Sequence, residues 1–206
     1  MLRLVTIPIS HYCEKVRWAL ERAGLPYQEE RHVQGVHRVA SRRAGGGGTV
    51  PVLVAPRRVL GDSELILGWV DERTEAEHRL FPDDPGERVE VERVCRRLDG
   101  TLGPTARRLM YAHMLAEREL MLACNNQGVP AWEDRALRIV WPAATRWVGR
   151  ELGMRRGIEA EDEAAVARAR LGRGAALRRP RVSLRRPLRR RGPDVRGVGG
   201  GGHRAA

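Results

Sequence analysis

Ser10, His11, Tyr12 and Cys13 stand where a short apolar run, Leu2 to Ile7, gives way to a helical pattern. Hydroxyl and thiol groups at a helix N-terminus lie among unpaired backbone N–H groups and the positive end of the macrodipole, which favours a developing anion. Val50-Pro51-Val52-Leu53 is an extended run through a proline, where a cis peptide can hold a backbone edge open. Gly61-Asp62-Ser63 offers a carboxylate and a hydroxyl at the start of another helix. Together these segments suit a small peptide-like thiol.

The elements that must position them follow from the apolar pattern. Leu2–Ile7 reads as a buried strand and residues 11–23 as a helix with Val16, Ala19, Leu20 and Ala23 on one face. Gly24 and Pro26 end it. Tyr27–Val33 is a second strand, Gln34–Ala44 a weak helix and Gly45–Gly48 a flexible link. Val50–Ala55 and Arg57–Leu60 read as a strand pair, and Asp62–Arg73 as a helix. The alternation predicts a small α/β unit. After Leu80-Phe81-Pro82 only helical patterns remain. One opens at Asp83-Asp84-Pro85 and breaks at Gly103-Pro104; others cover 105–123, 131–151 (with Pro142 inside) and Glu159–Leu171.

The net charge of +12 suggests nucleic acid, but its distribution argues otherwise. Residues 171–206 hold 11 of the 38 basic groups and one acid, Asp194, hence +10; the rest of the chain carries +2. Arginine outnumbers lysine 37 to 1, which reads as a GC-rich coding bias. Of the last 36 residues, 33 are Leu, Gly, Arg, Ala, Pro or Val, a composition that cannot bury a core. The tail has three readings: a basic arm, a solvated linker, or translation out of frame. The composition favours the third. Cys13, Cys95 and Cys124 lack disulfide or zinc spacing, and the histidines lack metal-ligand spacing, so no metal is expected. With no signal peptide or membrane span in view, the expected location is the cytoplasm.

The order and spacing of Ser10-His11-Tyr12-Cys13-Glu14-Lys15-Val16-Arg17, Thr49-Val50-Pro51-Val52-Leu53, Asp62-Ser63-Glu64-Leu65-Ile66 and Leu80-Phe81-Pro82-Asp83-Asp84-Pro85 resemble the glutathione S-transferase family. The resemblance implies an α/β thioredoxin-like domain followed by an all-α helical domain. It places the glutathione-binding domain at 1–78 and an incomplete helical domain at 84–171; the composition makes 172–206 a disordered basic tail. By position, Ser10 takes the thiol-activating slot, with Tyr12 and Cys13 beside it. Val50 would pair its backbone with the cysteinyl part of glutathione, Pro51 would be the cis proline, and Asp62 and Ser63 would hold the γ-glutamyl end. Glutathione is then a co-substrate, no cofactor is needed, the partner is a small electrophile, and the assembly is a homodimer without membrane or nucleic acid. Two departures stand out: Asp62 is shorter than the Glu or Gln common in the family, and His11 replaces a proline common in redox relatives.

Each residue also has a plainer reading. Ser10 and Asp62-Ser63 can be helix caps, Tyr12 can pack, and Cys13 can be a small buried residue. Trp132, Trp141 and Trp147 read as core or interface, and Arg107-Arg108 as a solvated helix face. The expected function is conjugation of glutathione thiolate to an electrophile; the alternative is a catalytically silent relative that acts as a binding or interaction protein.

Overall fold

The structure, a computed structural model, describes residues 1–176. Its first part runs β1 (Leu2–Thr6), α1 (His11–Arg22), β2 (Tyr27–Arg31), α2 (Val36–Arg43), β3 (Val52–Ala55), β4 (Arg58–Leu60) and α3 (Ser63–Asp71). The strands form one sheet in the order β2-β1-β3-β4. β1 pairs parallel with β2, Leu2 opposite Tyr27, because α1 carries the chain back across the sheet. β3 runs antiparallel to β1, Val5 opposite Val52, and turns through Pro56-Arg57 into β4.

Alternation along the strands supplies two apolar faces. Leu2, Leu4, Leu53 and Leu60 pack against Val16, Ala19 and Leu20 of α1 and Ile66 and Val70 of α3. Val5 and Val52 face the other way, toward Ala40 and Ala44 beside α2.

After a 3-10 turn at Ala76–His78 the chain is helical: α4 (Pro85–Gly100), α5 (Leu102–Met114), α6 (Arg118–Asn125), α7 (Ala131–Glu151) and α8 (Ile158–Ala176). Asp84 caps α4 by accepting from Glu87 N at 2.8 Å, with Pro85 in the first turn, where its missing N–H costs nothing. The expected α/β thioredoxin-like domain followed by an all-α part is what the structure shows.

Three expectations about the helices need correction. Gly103-Pro104 does not break a helix; it lies in the first turn of α5, and the break falls at Thr101. The stretch 105–123 is split between α5 and α6. α8 continues to Ala176 rather than Leu171, since Gly172 and Gly174 cost only about 1 kcal/mol each relative to Ala. The expected tail therefore loses its first five residues to α8, and its reading at 177–206 lies outside the described residues. Trp132 is 60% exposed and not a core residue, whereas Trp141 and Trp147 are partly buried in apolar clusters. Among the described residues no helix is long and apolar enough to cross a membrane.

Buried polar groups join the helices to the α/β part. Glu133, in the first turn of α7, is completely buried. Its Oε1 lies 2.7 Å from His32 Nδ1, and its Oε2 accepts from Val33 N at 2.9 Å. Asp71, 1% exposed, accepts from Leu80 N at 2.6 Å and meets Arg88 of α4 at 3.0 Å.

Candidate active site

The β1–α1 loop is fixed from beneath by Arg17, a nearly buried residue of α1. Its guanidinium donates to Ile7 O at 3.2 Å and Pro8 O at 3.3 Å and pairs with Glu29 at 2.7 Å. The loop thereby presents Ser10 in extended conformation as the N-cap of α1. Ser10 Oγ accepts from Cys13 N at 3.3 Å. That capping bond uses a lone pair of the oxygen, so the hydroxyl proton remains available to an acceptor outside the helix.

Ser10 opens onto a cavity of about 410 Å³ between the α/β part and the helices. One wall carries Ser10, His11, Tyr12, Gln34, Arg42 and Val50; the other carries Arg107 and Met110 of α5, Tyr111, and Trp147 and Leu152 at the end of α7. Gln34 Nε2 donates to Tyr111 Oη at 2.6 Å and ties the walls together.

The peptide bond between Val50 and Pro51 is cis. Val50 lies outside the ladder with β1, which ends at the Val5–Val52 pair, and lines the cavity. The segment before it is a built turn, not a flexible link. Gly45 and Gly48 have φ of 89° and 96°, which only glycine adopts easily. Ser41, fully buried, donates its hydroxyl to Thr49 O at 2.7 Å and accepts from Gly48 N at 3.1 Å.

The expected site residues divide. Ser10, Tyr12 and Val50 line the cavity; Cys13, Pro51, Asp62 and Ser63 do not. Pro51 is buried behind Val50. Tyr12 spends its hydroxyl on Asp99 O at 2.7 Å. Cys13 is fully buried, and burial pushes its thiol pKa up, which suits a packed side chain rather than a redox thiol. In the folded protein iodoacetamide should therefore modify Cys95 and Cys124, both partly exposed, well before Cys13. Peptide mass mapping after a short pulse checks this, and early labelling of Cys13 would contradict the packing. Asp62 caps α3, its Oδ1 accepting from Glu64 N at 2.8 Å and Leu65 N at 3.4 Å. Ser63 is buried in the first turn.

Sequence reasoning missed the arginines. Arg108 turns toward α8 and pairs with Asp162 at 2.5 Å, while its neighbour Arg107 is exposed, as expected of a solvated face, and also lines the cavity. Arg38 pairs with Glu151 at 2.6 Å and lies over the Trp147 ring at 5.0 Å. Arg42 and Arg107 have no carboxylate partner among the described residues. Burial, and next Arg107, hold the His11 pKa below its usual value; burial pushes His37 down to about 4. The positive charge of the cavity at neutral pH is thus guanidinium charge.

The start of α5 runs so close to α1 that only glycine fits. A Cβ on Gly103 would lie 2.4 Å from Tyr12 Oη and 3.2 Å from His11 Nε2. Gly103→Ala should push Tyr12 off Asp99 and lower stability by about 1–3 kcal/mol, the usual range for overpacking. Tyr12→Phe alone should cost about 1 kcal/mol for its hydrogen bond. The double variant should be less destabilised than the sum, because removing the hydroxyl relieves the clash. Urea unfolding of the four proteins measures the cycle, and strict additivity would show that the contact is not shared. The one group of potential metal ligands found among the described residues, Glu75, Glu77 and His78, is exposed on the 3-10 turn, outside the cavity lining.

Residues 4–78 match the family model for the glutathione S-transferase N-terminal domain. A glutathione S-transferase from Pseudomonas putida is 29% identical over 99 residues, covering 48% of this chain and 44% of that protein, less than half its length. Two solved structures align over most of the chain. A glutathione transferase from Populus trichocarpa has a TM-score of 0.56 at 15% identity, covering 86% of this chain and 70% of that one. A glutathione S-transferase from Methylobacillus flagellatus, with glutathione bound, has a TM-score of 0.53 at 18% identity, covering 87% and 71%. At such identities the structural likeness concerns the fold. Residues 4–78 thus form a glutathione S-transferase-like N-terminal domain of thioredoxin fold, and a helical part follows it.

Proposed function

We propose that the chain binds glutathione in this cavity and transfers its thiolate to a small electrophile. The observation that carries the reading is the convergence on one wall of Ser10's hydroxyl, the Val50 edge before the cis peptide, and the Arg42 guanidinium, which has no carboxylate partner among the described residues. Val50 offers its backbone to the cysteinyl unit, and Arg42 meets a carboxylate of the tripeptide. Asp62 lies outside the cavity lining; its Oδ2, uncommitted while Oδ1 caps α3, is left for a γ-glutamyl amino group that extends beyond the cavity, with Ser63 buried beside it. Tyr12 lines the site, and Cys13 and Pro51 support it from behind. A thiol with an ordinary pKa of about 8.5 is only a few per cent ionised at neutral pH. A hydroxyl donor and the N-terminus of α1 both stabilise the anion. The two-fold homodimer of the family accompanies this reading.

Calorimetric titration with glutathione, followed by conjugation of 1-chloro-2,4-dinitrobenzene, tests it. The expected result is a Kd below about 1 mM with measurable turnover. No binding would overturn the reading. Binding without turnover across aryl halides, benzyl halides and enones would leave a silent binding protein.

A further inference from the structure

The two walls of the cavity differ in chemistry. The α/β wall carries the polar backbone edge and Arg42. The helical wall is apolar: Met110, Trp147, Val148 and Leu152. Its charged groups are two, Glu151 and Arg107. Glu151 is neutralised by Arg38, which crosses from α2, and Arg108 faces Asp162 instead. Arg107 alone is left without a carboxylate among the described residues. It stands on α5 four residues before Tyr111, on the cavity side, next to the helix end that carries Ser10.

A guanidinium without a carboxylate partner among the described residues, beside a mainly apolar wall, suits a ligand with an apolar body and one anionic group. Guanidinium donors fork around a carboxylate or sulfonate, and apolar side chains cover the rest. A neutral ligand of the same shape offers those exposed donors nothing in place of water. We infer that the helical wall selects an anionic amphipathic electrophile, an aryl or alkyl chain bearing a carboxylate or sulfonate, and that Arg107 reads the anionic group. This rests on the proposed function, because the electrophile is the second substrate of the same site. With a benzylic halide the step balances simply. The thiolate sulfur bonds to the benzylic carbon, the carbon–halogen bond breaks, halide leaves, and the thiol proton has gone to solvent.

The test pairs 4-(chloromethyl)benzoate with its neutral amide as electrophiles, and 4-methylbenzoate with 4-methylbenzamide as unreactive ligands. In calorimetric titration the benzoate should bind at least about tenfold more tightly than the benzamide, the low end for a hydrogen bond to a charged group. Arg107→Gln should abolish that preference and leave benzamide binding as it was. Arg107→Lys should keep part of it. Arg42→Gln should weaken glutathione and leave the benzoate preference. In turnover, Arg107→Gln should raise KM for the benzoate about tenfold or more with kcat little changed, and leave the amide unaffected. Equal binding of the two ligands by the wild-type protein, a preference that survives Arg107→Gln, or one that disappears with Arg42→Gln instead, overturns the inference. Absence of glutathione binding overturns the conjugation reading separately, since the ligand titrations need no glutathione.

Discussion

Replacing Glu133 with alanine should lower the free energy of unfolding by about 3–5 kcal/mol, since it strands two hydrogen-bond partners and opens a cavity. Glu133 is completely buried, and its two oxygens serve two separate groups, the His32 ring and the Val33 N–H. Alanine strands both and leaves a hole at the start of α7. The Val33 N–H is buried and would have no other acceptor at hand, which alone costs about 1–3 kcal/mol. Glu133→Gln keeps the shape and one acceptor oxygen, so its cost should be smaller, about 1–2 kcal/mol. The effect should reach the cavity as well. Val33 precedes Gln34, whose amide donates to Tyr111 on the opposite wall. Urea unfolding followed by circular dichroism gives the stabilities, and glutathione titration of each variant gives the coupling. A loss under 1 kcal/mol for Glu133→Ala would mean that the polar contact is not what joins the two parts.

The same contact shows where sequence stops being informative. The strand expected over Tyr27–Val33 ends at Arg31 because His32 and Val33 turn to meet a residue a hundred positions away. Local pattern cannot announce that. The α/β elements were legible because they rest on local physics: short apolar runs in β1 and β3, and Ser10 and Asp62 as caps, as Asp84 is for α4. Helix α7 was legible over its whole length for the same reason, with Pro142 carried inside it. The gap between α5 and α6 was not, since Leu115-Ala116-Glu117 are all good helix formers and something other than propensity ends α5 there. The arginines are the clearest case. Arg107 and Arg108 are identical in type and adjacent, yet successive helical residues point about 100° apart. One meets Asp162 and the other the cavity. Composition treats both as solvated charge, and only the packing of α5 separates them. The site was legible in part for a related reason. Ser10 and Val50 are placed by a cap and a proline, which are local, whereas the role of Asp62 depends on which way a capping carboxylate faces.

Ser10→Ala should slow conjugation by about ten- to a hundredfold, the scale of one or two steps of about 1.4 kcal/mol in the barrier. The loss should come with a higher pKa of bound glutathione, read from thiolate absorbance in the complex. The hydroxyl has two jobs, however, and they must be separated. Its oxygen caps α1 through Cys13 N, so alanine should also cost about 1 kcal/mol of stability. Glycine at a cap position costs only a few tenths of a kcal/mol relative to serine, by about the same measure. Ser10→Gly should therefore match Ser10→Ala in activity while unfolding much closer to wild type. If activity instead follows stability across the two variants, Ser10 is a cap and nothing more. Tyr12→Phe should keep the thiolate pKa, because the tyrosine hydroxyl is spent on Asp99 O. Cys13→Ser provides the opposite control. Cys13 is fully buried and its thiol pKa is raised, so this change should act on packing rather than on chemistry. Activity that survives Ser10→Ala and vanishes with a folded Cys13→Ser would reverse the assignment and make the site a redox one.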